Sequence, residues 1–279
     1  MTILVTGASG HVGRAVLDQL RAAGADVRAS SRDPRTAQLP VGVPVAAADL
    51  TRPETLPAAL AGVARVFPYA QPEAIDSFVQ AAQAAGVEQV VFLSSASLVE
   101  PGAADDPIAQ HHRAVEQALE RSALAWAFIR PGAFATNALQ WARAIRAEGV
   151  VHIPYPQSES APIHEADIAA VAVAALTGGT LRNAATHLTG PESLTQERQV
   201  TLIGEAIGRE LRCVELTPDQ ARTEMGRFMP PQFVDAPLRM WAATDGVPAT
   251  ISDAAAQTTG RPGRSFATWA HDHAADFRP

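Results

Sequence analysis

The 279-residue chain is 47% hydrophobic and 18% charged, with a formal net charge of −7 at pH 7. This composition is typical of a globular protein and excludes a disordered chain. The negative charge argues against nucleic acid and anionic membranes as partners. All 22 basic residues are arginine, and the single cysteine, Cys213, cannot form an internal disulfide. We therefore expect a cytoplasmic protein without membrane insertion.

A glycine-rich turn follows the first apolar stretch, residues 2–5, and leads into a helical pattern over residues 12–20. Gly7 allows a tight turn, Gly10 allows a pyrophosphate to approach the backbone, and Gly13 allows the helix to pack closely. Strand, turn and helix in this order predict a dinucleotide-binding site at the helix N-terminus. The residues expected to contact the coenzyme phosphates are Gly7, Ser9, Gly10, His11, Val12 and Gly13.

Strand and helix patterns then alternate along the first half of the chain. Apolar strands are predicted over residues 26–31, 43–48, 63–67, 87–93 and 124–129, and helices over 72–85 and 108–122. A capping-box spacing at Thr51–Glu54 predicts a helix start there. This alternation predicts an α/β protein with a doubly wound parallel sheet, the Rossmann fold.

The second half is less regular. Helices are predicted over residues 137–148, 167–176 and 195–207 and from Thr217 onward, with strands over 150–153, 184–190 and 211–216. We predict a Rossmann domain over residues 1–155, completed by the returning strand near 184–190, and a mainly substrate-binding domain over residues 156–279.

Ligands of parallel sheets bind beyond the carboxyl ends of the strands. After the second strand, Arg32 matches the 2′-phosphate of NADPH, whereas Asp33 stands near the position of an NAD-type acid. We favour Arg32 as the phosphate ligand and Asp33 as a turn residue, and hence NADPH over NAD. Other strand ends add further expected coenzyme contacts, namely Asp49, Leu50, Phe67, Pro68, Tyr69 and Ser94.

Six segments stand in the order expected of a known family. They are TGASGHVG at 6–13, SRDP at 31–34, ADL at 48–50, SSAS at 94–97, RPGAF at 130–134 and APIHEADIA at 161–169. On these segments the chain resembles the NmrA-like, NAD(P)-binding group of atypical short-chain dehydrogenases, which includes bacterial NADPH:quinone oxidoreductases. The resemblance covers residues 1–215. It implies a Rossmann domain, a small C-terminal substrate domain and NADPH, with the backbone of Pro131 and Gly132 near the nicotinamide.

The Tyr-x-x-x-Lys pair of many short-chain dehydrogenases is excluded, because the sequence contains no lysine. The helix that would carry the pair holds His111 and His112, and His112 takes the place of the lysine. His112 could bind a ribose or a substrate oxygen, relay a proton, or simply pack against the sheet. Ser94 and Ser95 are further catalytic candidates, although serines at strand ends are often only turn formers. No metal site is expected, because adjacent helix histidines diverge.

Aromatic residues of the second half are candidates for an apolar or aromatic substrate. Each of them alone is more simply a core residue of a small domain. Phe134 is expected near both coenzyme and substrate. The substrate candidates are Phe134, Asn137, Trp141, Tyr155, Phe228, Phe233 and Trp241.

These features together predict an NADPH-dependent oxidoreductase that reduces a quinone, enone or ketone of an apolar small molecule. Two alternatives stay open: a non-redox isomerase, cyclase or dehydratase that keeps the coenzyme fold, and an NADP-binding regulatory sensor. We expect a monomer or a homodimer.

Overall fold

The computed structural model describes residues 1–100, 102–179, 181–227 and 229–278, apart from the side chains of residues 231–233. The strands are β1 (Thr2–Val5), β2 (Val27–Ser31), β3 (Val45–Ala47), β4 (Val63–Phe67), β5 (Gln89–Leu93), β6 (Ala125–Pro131), β7 (Val150–Ile153), β8 (Glu159–Ser160), β9 (Ala184–Leu188), β10 (Leu194–Thr195) and β11 (Arg212–Glu215).

Most of the helices follow the predicted patterns within a few residues. They are α1 (His11–Ala22), α2 (Leu56–Leu60), α3 (Ile75–Ala84), α4 (Pro107–Glu120), α5 (Ala142–Glu148), α6 (Glu165–Gly178), α7 (Gln196–Ile207), α8 (Pro218–Met225), α9 (Pro231–Ala243), α10 (Ala254–Thr259), α11 (Phe266–Asp272) and α12 (Ala274–Phe277). Within the described ranges, every helix is too short or too polar to cross a bilayer.

Seven parallel strands form the central sheet, in the order β3-β2-β1-β4-β5-β6-β9. Helices flank the sheet, as the alternating pattern predicts. Leu4, Phe92 and Phe128 point to one face and pack with apolar residues of α2, α3 and α4. The predicted α/β Rossmann fold is thereby confirmed, including the returning strand β9, which extends the sheet beside β6.

The described chain divides into two compact units. The first unit contains the central sheet and comprises residues 1–132, 165–188 and 254–261. The second comprises residues 133–164, 189–253 and 262–279. Compared with the predicted division at residue 155, residues 133–155 lie in the second unit and α6 lies in the first. Helix α6 belongs there because it packs on α1 and against β4, β5 and β6.

The second unit has its own apolar core. Strand β7 pairs in parallel with β11, and β8 pairs antiparallel with β10. Helices α5, α7, α11 and α12 pack around Trp141, Ile145, Ile203, Trp269 and Phe277, all of them buried. A separate small cluster of α8 and α9 contains Val234 and Leu238.

The predicted helix start at Thr51–Glu54 is wrong. The Thr51 hydroxyl donates to the Asp49 carboxylate at 2.7 Å, so it does not cap a helix. A 3-10 turn over Pro53–Thr55 comes first, and α2 begins only at Leu56. The Thr51 hydroxyl is therefore bound to Asp49 and does not form the hydrogen bond that a capping box requires.

Gly13 is the glycine on which the β1–α1 turn most depends. A Cβ on Gly13 would lie 2.3 Å from the carbonyl oxygen of Gly7, which is backbone and cannot rotate away. Replacing Gly13 by alanine should lower the free energy of unfolding by about 3 kcal/mol, a typical result of overpacking. Urea unfolding followed by circular dichroism measures this change.

Gly10→Ala is the matched control, because its Cβ would contact only the Gly7 oxygen, at 3.5 Å. It should cost less than about 1 kcal/mol, mainly through poorer helix capping. Equal stability losses in the two variants would contradict the assignment of the close contact to Gly13.

Candidate functional site

The turn between β1 and α1 forms an open cradle of backbone amides. Gly7 has a φ of +61°, in the region that favours glycine, and its carbonyl accepts the Gly10 amide at 3.0 Å. Gly10 is exposed. Among the described residues no side chain caps α1, and its first turn contains no acidic residue. The exposed helix start with its partial positive charge therefore fits the diphosphate of a dinucleotide.

One charged cluster lies at the ends of β2, β3 and β4. The exposed Arg32 and the Asp49 carboxylate are close enough to interact, and hydrogen bonds from Thr51 together with Arg32 lower the pKa of Asp49. Tyr69 belongs to the same cluster, since burial and the Asp49 charge raise its pKa. A Cβ placed on Gly7 would lie 3.5 Å from the Cβ of Tyr69. The charged cluster therefore adjoins the glycine turn.

Arg32 and Asp33 differ in what they already bind. The Asp33 carboxylate accepts the backbone amide of Arg35 at 3.1 Å and its side chain at 3.3 Å. Among the described residues, the Arg32 guanidinium has no hydrogen-bond partner, so it can still bind a phosphate. Asp33 acts as a turn residue, which is the role the sequence favours for it.

The other predicted coenzyme residues differ in exposure. Ser9 and His11 are exposed, Gly132 and Phe134 are half-buried, and the Gly132 amide donates to Leu188 O at 2.9 Å. The remaining ones are buried at the ends of elements and offer backbone groups rather than side chains, namely Val12, Leu50, Phe67, Pro68 and Pro131.

His112 lies against the sheet. Its ring centroid is 6.0 Å from that of Phe92, and its Nδ1 is 2.8 Å from the carbonyl oxygen of Ile108. Burial lowers the pKa of His112, so the neutral imidazole is favoured. In that form Nδ1–H donates to Ile108 and Nε2 is an acceptor. The site can therefore use His112 to accept a hydrogen bond more readily than to donate a proton.

The inner face of α4 is not wholly apolar. Ile108 is 50% exposed, whereas Glu116 is 3% exposed and faces the sheet. The buried face of α4 is therefore centred near His112, Val115 and Glu116. A carboxylate on the inner face was missed because an apolar stripe is read from apolar residues alone.

Ser94 and Ser95 are already hydrogen-bonded. Ser94 is buried, and its hydroxyl donates to Glu116 Oε1 at 2.6 Å. Ser95 caps the 3-10 turn that follows β5, accepting the Ser97 amide at 3.2 Å. Because its single proton is donated to Glu116, the Ser94 hydroxyl can only accept further hydrogen bonds. This disfavours Ser94 as a proton donor.

Arg130, which is half-buried, is the third member of this hydrogen-bonded group. Its Nε donates to Glu116 Oε1 at 2.9 Å and its Nη2 to Glu116 Oε2 at 2.6 Å, a bidentate pair. In the sequence, Arg130 stands at the end of an apolar strand and begins the segment RPGAF.

The predicted substrate residues have different surroundings. Trp141 is 8% exposed and packs in the core of the second unit, so its side chain serves packing there. Trp241 packs on the cluster of α8 and α9, Tyr155 is half-buried and Asn137 is exposed. Phe228 and the side chain of Phe233 lie outside the described residues.

The fold and the phosphate cradle define the class of protein: a dinucleotide-binding Rossmann α/β protein. The chain belongs to the NAD(P)H-binding family, whose sequence profile matches residues 7–178. Within the described residues there is no cluster of His, Cys, Asp and Glu that could hold a metal ion.

Two relatives match along their whole length. The chain is 39% identical to (4-alkanoyl-5-oxo-2,5-dihydrofuran-3-yl)methyl phosphate reductase of Streptomyces griseus, over 99% of both chains. It is 37% identical to the NAD(P)H azoreductase of Xenophilus azovorans, again over 99% of both chains. The chain is accordingly an NAD(P)H-dependent oxidoreductase.

Solved structures share the fold at lower sequence identity. An NADPH-dependent quinone oxidoreductase from Escherichia coli superposes with a TM-score of 0.81 at 22% identity, covering 98% of this chain and 99% of that one. The Citrobacter triphenylmethane reductase complexed with NADP(H) gives 0.79 at 22% identity, covering 98% and 100%.

The depressed pKa of His112 predicts a pH effect on stability. The folded chain holds the His112 proton less tightly than the unfolded chain, whose histidine titrates near 6.5. The contribution of His112 is therefore nil above that pH, and the free energy of unfolding falls as pH drops below it. Urea unfolding at several pH values should show a weaker acid loss in His112→Phe than in the native protein.

NMR titration of the His112 ring checks the cause directly. Its midpoint should lie below 6.5. A midpoint above that value, or an unchanged pH profile in His112→Phe, would contradict the neutral imidazole.

Proposed function

We propose that this chain is an NADPH-dependent reductase of an electron-poor conjugated double bond, such as that of a quinone or an enone, in an apolar or aromatic small molecule. The proposal rests above all on one observation: a phosphate cradle, and an Arg32 with no hydrogen-bond partner among the described residues, occur in a chain that matches two reductases over their full length. A simple ketone is a less favoured acceptor, because its reduction requires a general acid that this chain does not provide in the proposed mechanism.

The names of the relatives describe acceptors of one chemical kind. A 5-oxo-2,5-dihydrofuran with a 4-alkanoyl group has a ring double bond conjugated with two carbonyls, and an azo compound has an N=N bond. Hydride addition to such a bond leaves a negative charge that the neighbouring groups delocalise. We extend this chemistry to the present chain, including quinones.

The proposed division of labour follows from the chain's own residues. Bound NADPH supplies the hydride. Residues at the glycine turn hold the diphosphate, and Arg32 holds the 2′-phosphate. His112 Nε2, as an acceptor, orients a hydroxyl of the coenzyme ribose or of the substrate.

Water supplies the proton in this proposal. The sequence has no lysine for a Tyr-x-x-x-Lys pair, and the lowered pKa of His112 leaves little imidazolium at neutral pH. A delocalised anion is stable enough to be protonated by solvent, whereas the alkoxide formed from a simple ketone requires a positioned general acid. The missing acid thus favours conjugated acceptors over ketones.

Coenzyme choice tests the role of Arg32. Arg32→Ala should lower kcat/KM for NADPH by about 10- to 100-fold, the value of a lost charged hydrogen-bond pair. The value for NADH should stay nearly unchanged, because NADH has no 2′-phosphate. Steady-state kinetics with each coenzyme measure both.

Arg35→Ala is the matched control on the same loop, because Arg35 is exposed and already paired with Asp33. It should leave the preference for NADPH intact. A native protein that prefers NADH, or equal losses in both variants, would overturn the assignment of the phosphate to Arg32.

Substrate class is tested with a panel of naphthoquinones, 2-acylbutenolides, azo dyes and aromatic ketones, using NADPH deuterated at C4 on either face. Deuteride should be transferred from one face only, so the NADP+ formed loses the label from that face and keeps it from the other, with ketones much slower; mass spectrometry of the NADP+ measures this for every acceptor. Tight NADPH binding with no turnover across the panel would instead favour the regulatory sensor.

A further inference from the structure

A buried ion pair joins α4 to the ends of two central strands. Glu116 accepts three hydrogen bonds: two from Arg130, at 2.9 and 2.6 Å, and one from Ser94, at 2.6 Å. The exposed fraction of its side chain is 5%, and that of Arg130 is 20%. Both carboxylate oxygens are therefore used, and the charge is compensated inside the protein.

The position of this pair in the sheet is specific. Leu93 of β5 and Ile129 of β6 are partners in register, so Ser94 and Arg130 are the next residues at the carboxyl ends of these strands. Arg130 directly precedes Pro131 and Gly132. Glu116 thus fixes the two strand ends to one helix.

Stability alone is a weak explanation for this arrangement. Burying an ion pair costs desolvation energy, and apolar residues of similar volume often stabilise a protein as well or better. The residues beneath it, Phe92 and Phe128, are fully buried and apolar. A charged group placed only at the functional end of these strands indicates a role in the site.

The residues expected to bind the two halves of the coenzyme follow different strands. Arg32 and Asp49 follow β2 and β3, on one side of β1, whereas β4, β5 and β6 lie on the other side. If Arg32 holds the 2′-phosphate and the glycine turn holds the diphosphate, the ends of β5 and β6 would hold the nicotinamide half.

We propose that Glu116 is a positioning residue, which holds Ser94 and the β6 end so that the nicotinamide half is bound in the geometry for hydride transfer. The inference rests on the proposed function. Glu116 does not touch the coenzyme in this account; it acts through Ser94, Arg130 and the backbone that follows them. It also fixes α4 one turn after His112.

Glu116→Gln tests the proposal, because the amide keeps the size of the side chain but removes its charge and the full bidentate pair. It should lower kcat by at least about ten-fold, as expected when reacting groups are misplaced. The isotope effect with C4-deuterated NADPH should rise, because hydride transfer becomes limiting. The Kd for 2′,5′-ADP, which contains only the adenosine half, should change less than about two-fold.

Glu120→Gln is the matched control. It makes the same change one turn later on α4, at an exposed residue whose charge acts on Arg130 less than that of Glu116, and should leave kcat, the isotope effect and Kd nearly unchanged. A purely structural role for Glu116 would lower the melting temperature of Glu116→Gln while sparing kcat and the isotope effect, and would overturn the proposal.

A double variant and the activity of the native protein provide two further tests of Glu116. If Glu116→Gln does not fold, the double variant Glu116→Gln/Arg130→Gln avoids an uncompensated buried arginine and should show the same loss of kcat with 2′,5′-ADP binding kept. Native turnover retained in that variant overturns this inference alone. A native protein that reduces no acceptor in the panel overturns both this inference and the proposed function.

Discussion

The whole site depends on one close backbone contact, that of Gly13 with the carbonyl of Gly7. Because Gly13 has no Cβ, α1 can begin directly beyond the end of β1, and its first amides face outward at the carboxyl edge of the sheet. A side chain there would push the helix start away and separate the amides from the ends of β2 and β4. Gly10 contributes differently: internal packing would tolerate a Cβ, so its bare backbone is explained better by a ligand than by the fold.

Charge is distributed along this edge in two ways. Near β2, Arg32 is exposed and without a hydrogen-bond partner among the described residues, so it can attract a phosphate. Near β5 and β6, the buried Glu116 and the half-buried Arg130 satisfy each other. The first arrangement suits recognition of a charged group from solvent, and the second fixes the two strand ends without adding net charge there. A fold of net charge −7 thus binds an anionic coenzyme through local placement of arginines.

The sequence was sufficient for the features that a short segment encodes. The β1–α1 turn, the alternation of strands and helices and the turn role of Asp33 each depend on neighbouring residues, so local chemistry predicts them. It was insufficient where a distant group competes, as when Asp49 bonds the Thr51 hydroxyl and delays α2. Glu116 and Arg130 were missed for the same reason: each looks ordinary on its own element, and only the sheet brings them together. Trp141 was assigned to a substrate because an aromatic residue carries no sign of which interior it fills.

The arrangement around His112 connects these points to the chemistry. A half-buried imidazole that donates to Ile108 is a fixed acceptor, and a serine that donates to Glu116 is another. Both groups already use their only proton in a hydrogen bond within the protein. This part of the candidate site is therefore suited to accept hydrogen bonds from donors such as ribose hydroxyls or a carboxamide. It is poorly built to protonate an alkoxide. Under the proposed function, these hydrogen bonds inside the protein are the reason to expect acceptors whose reduced anion is stable enough to take its proton from water.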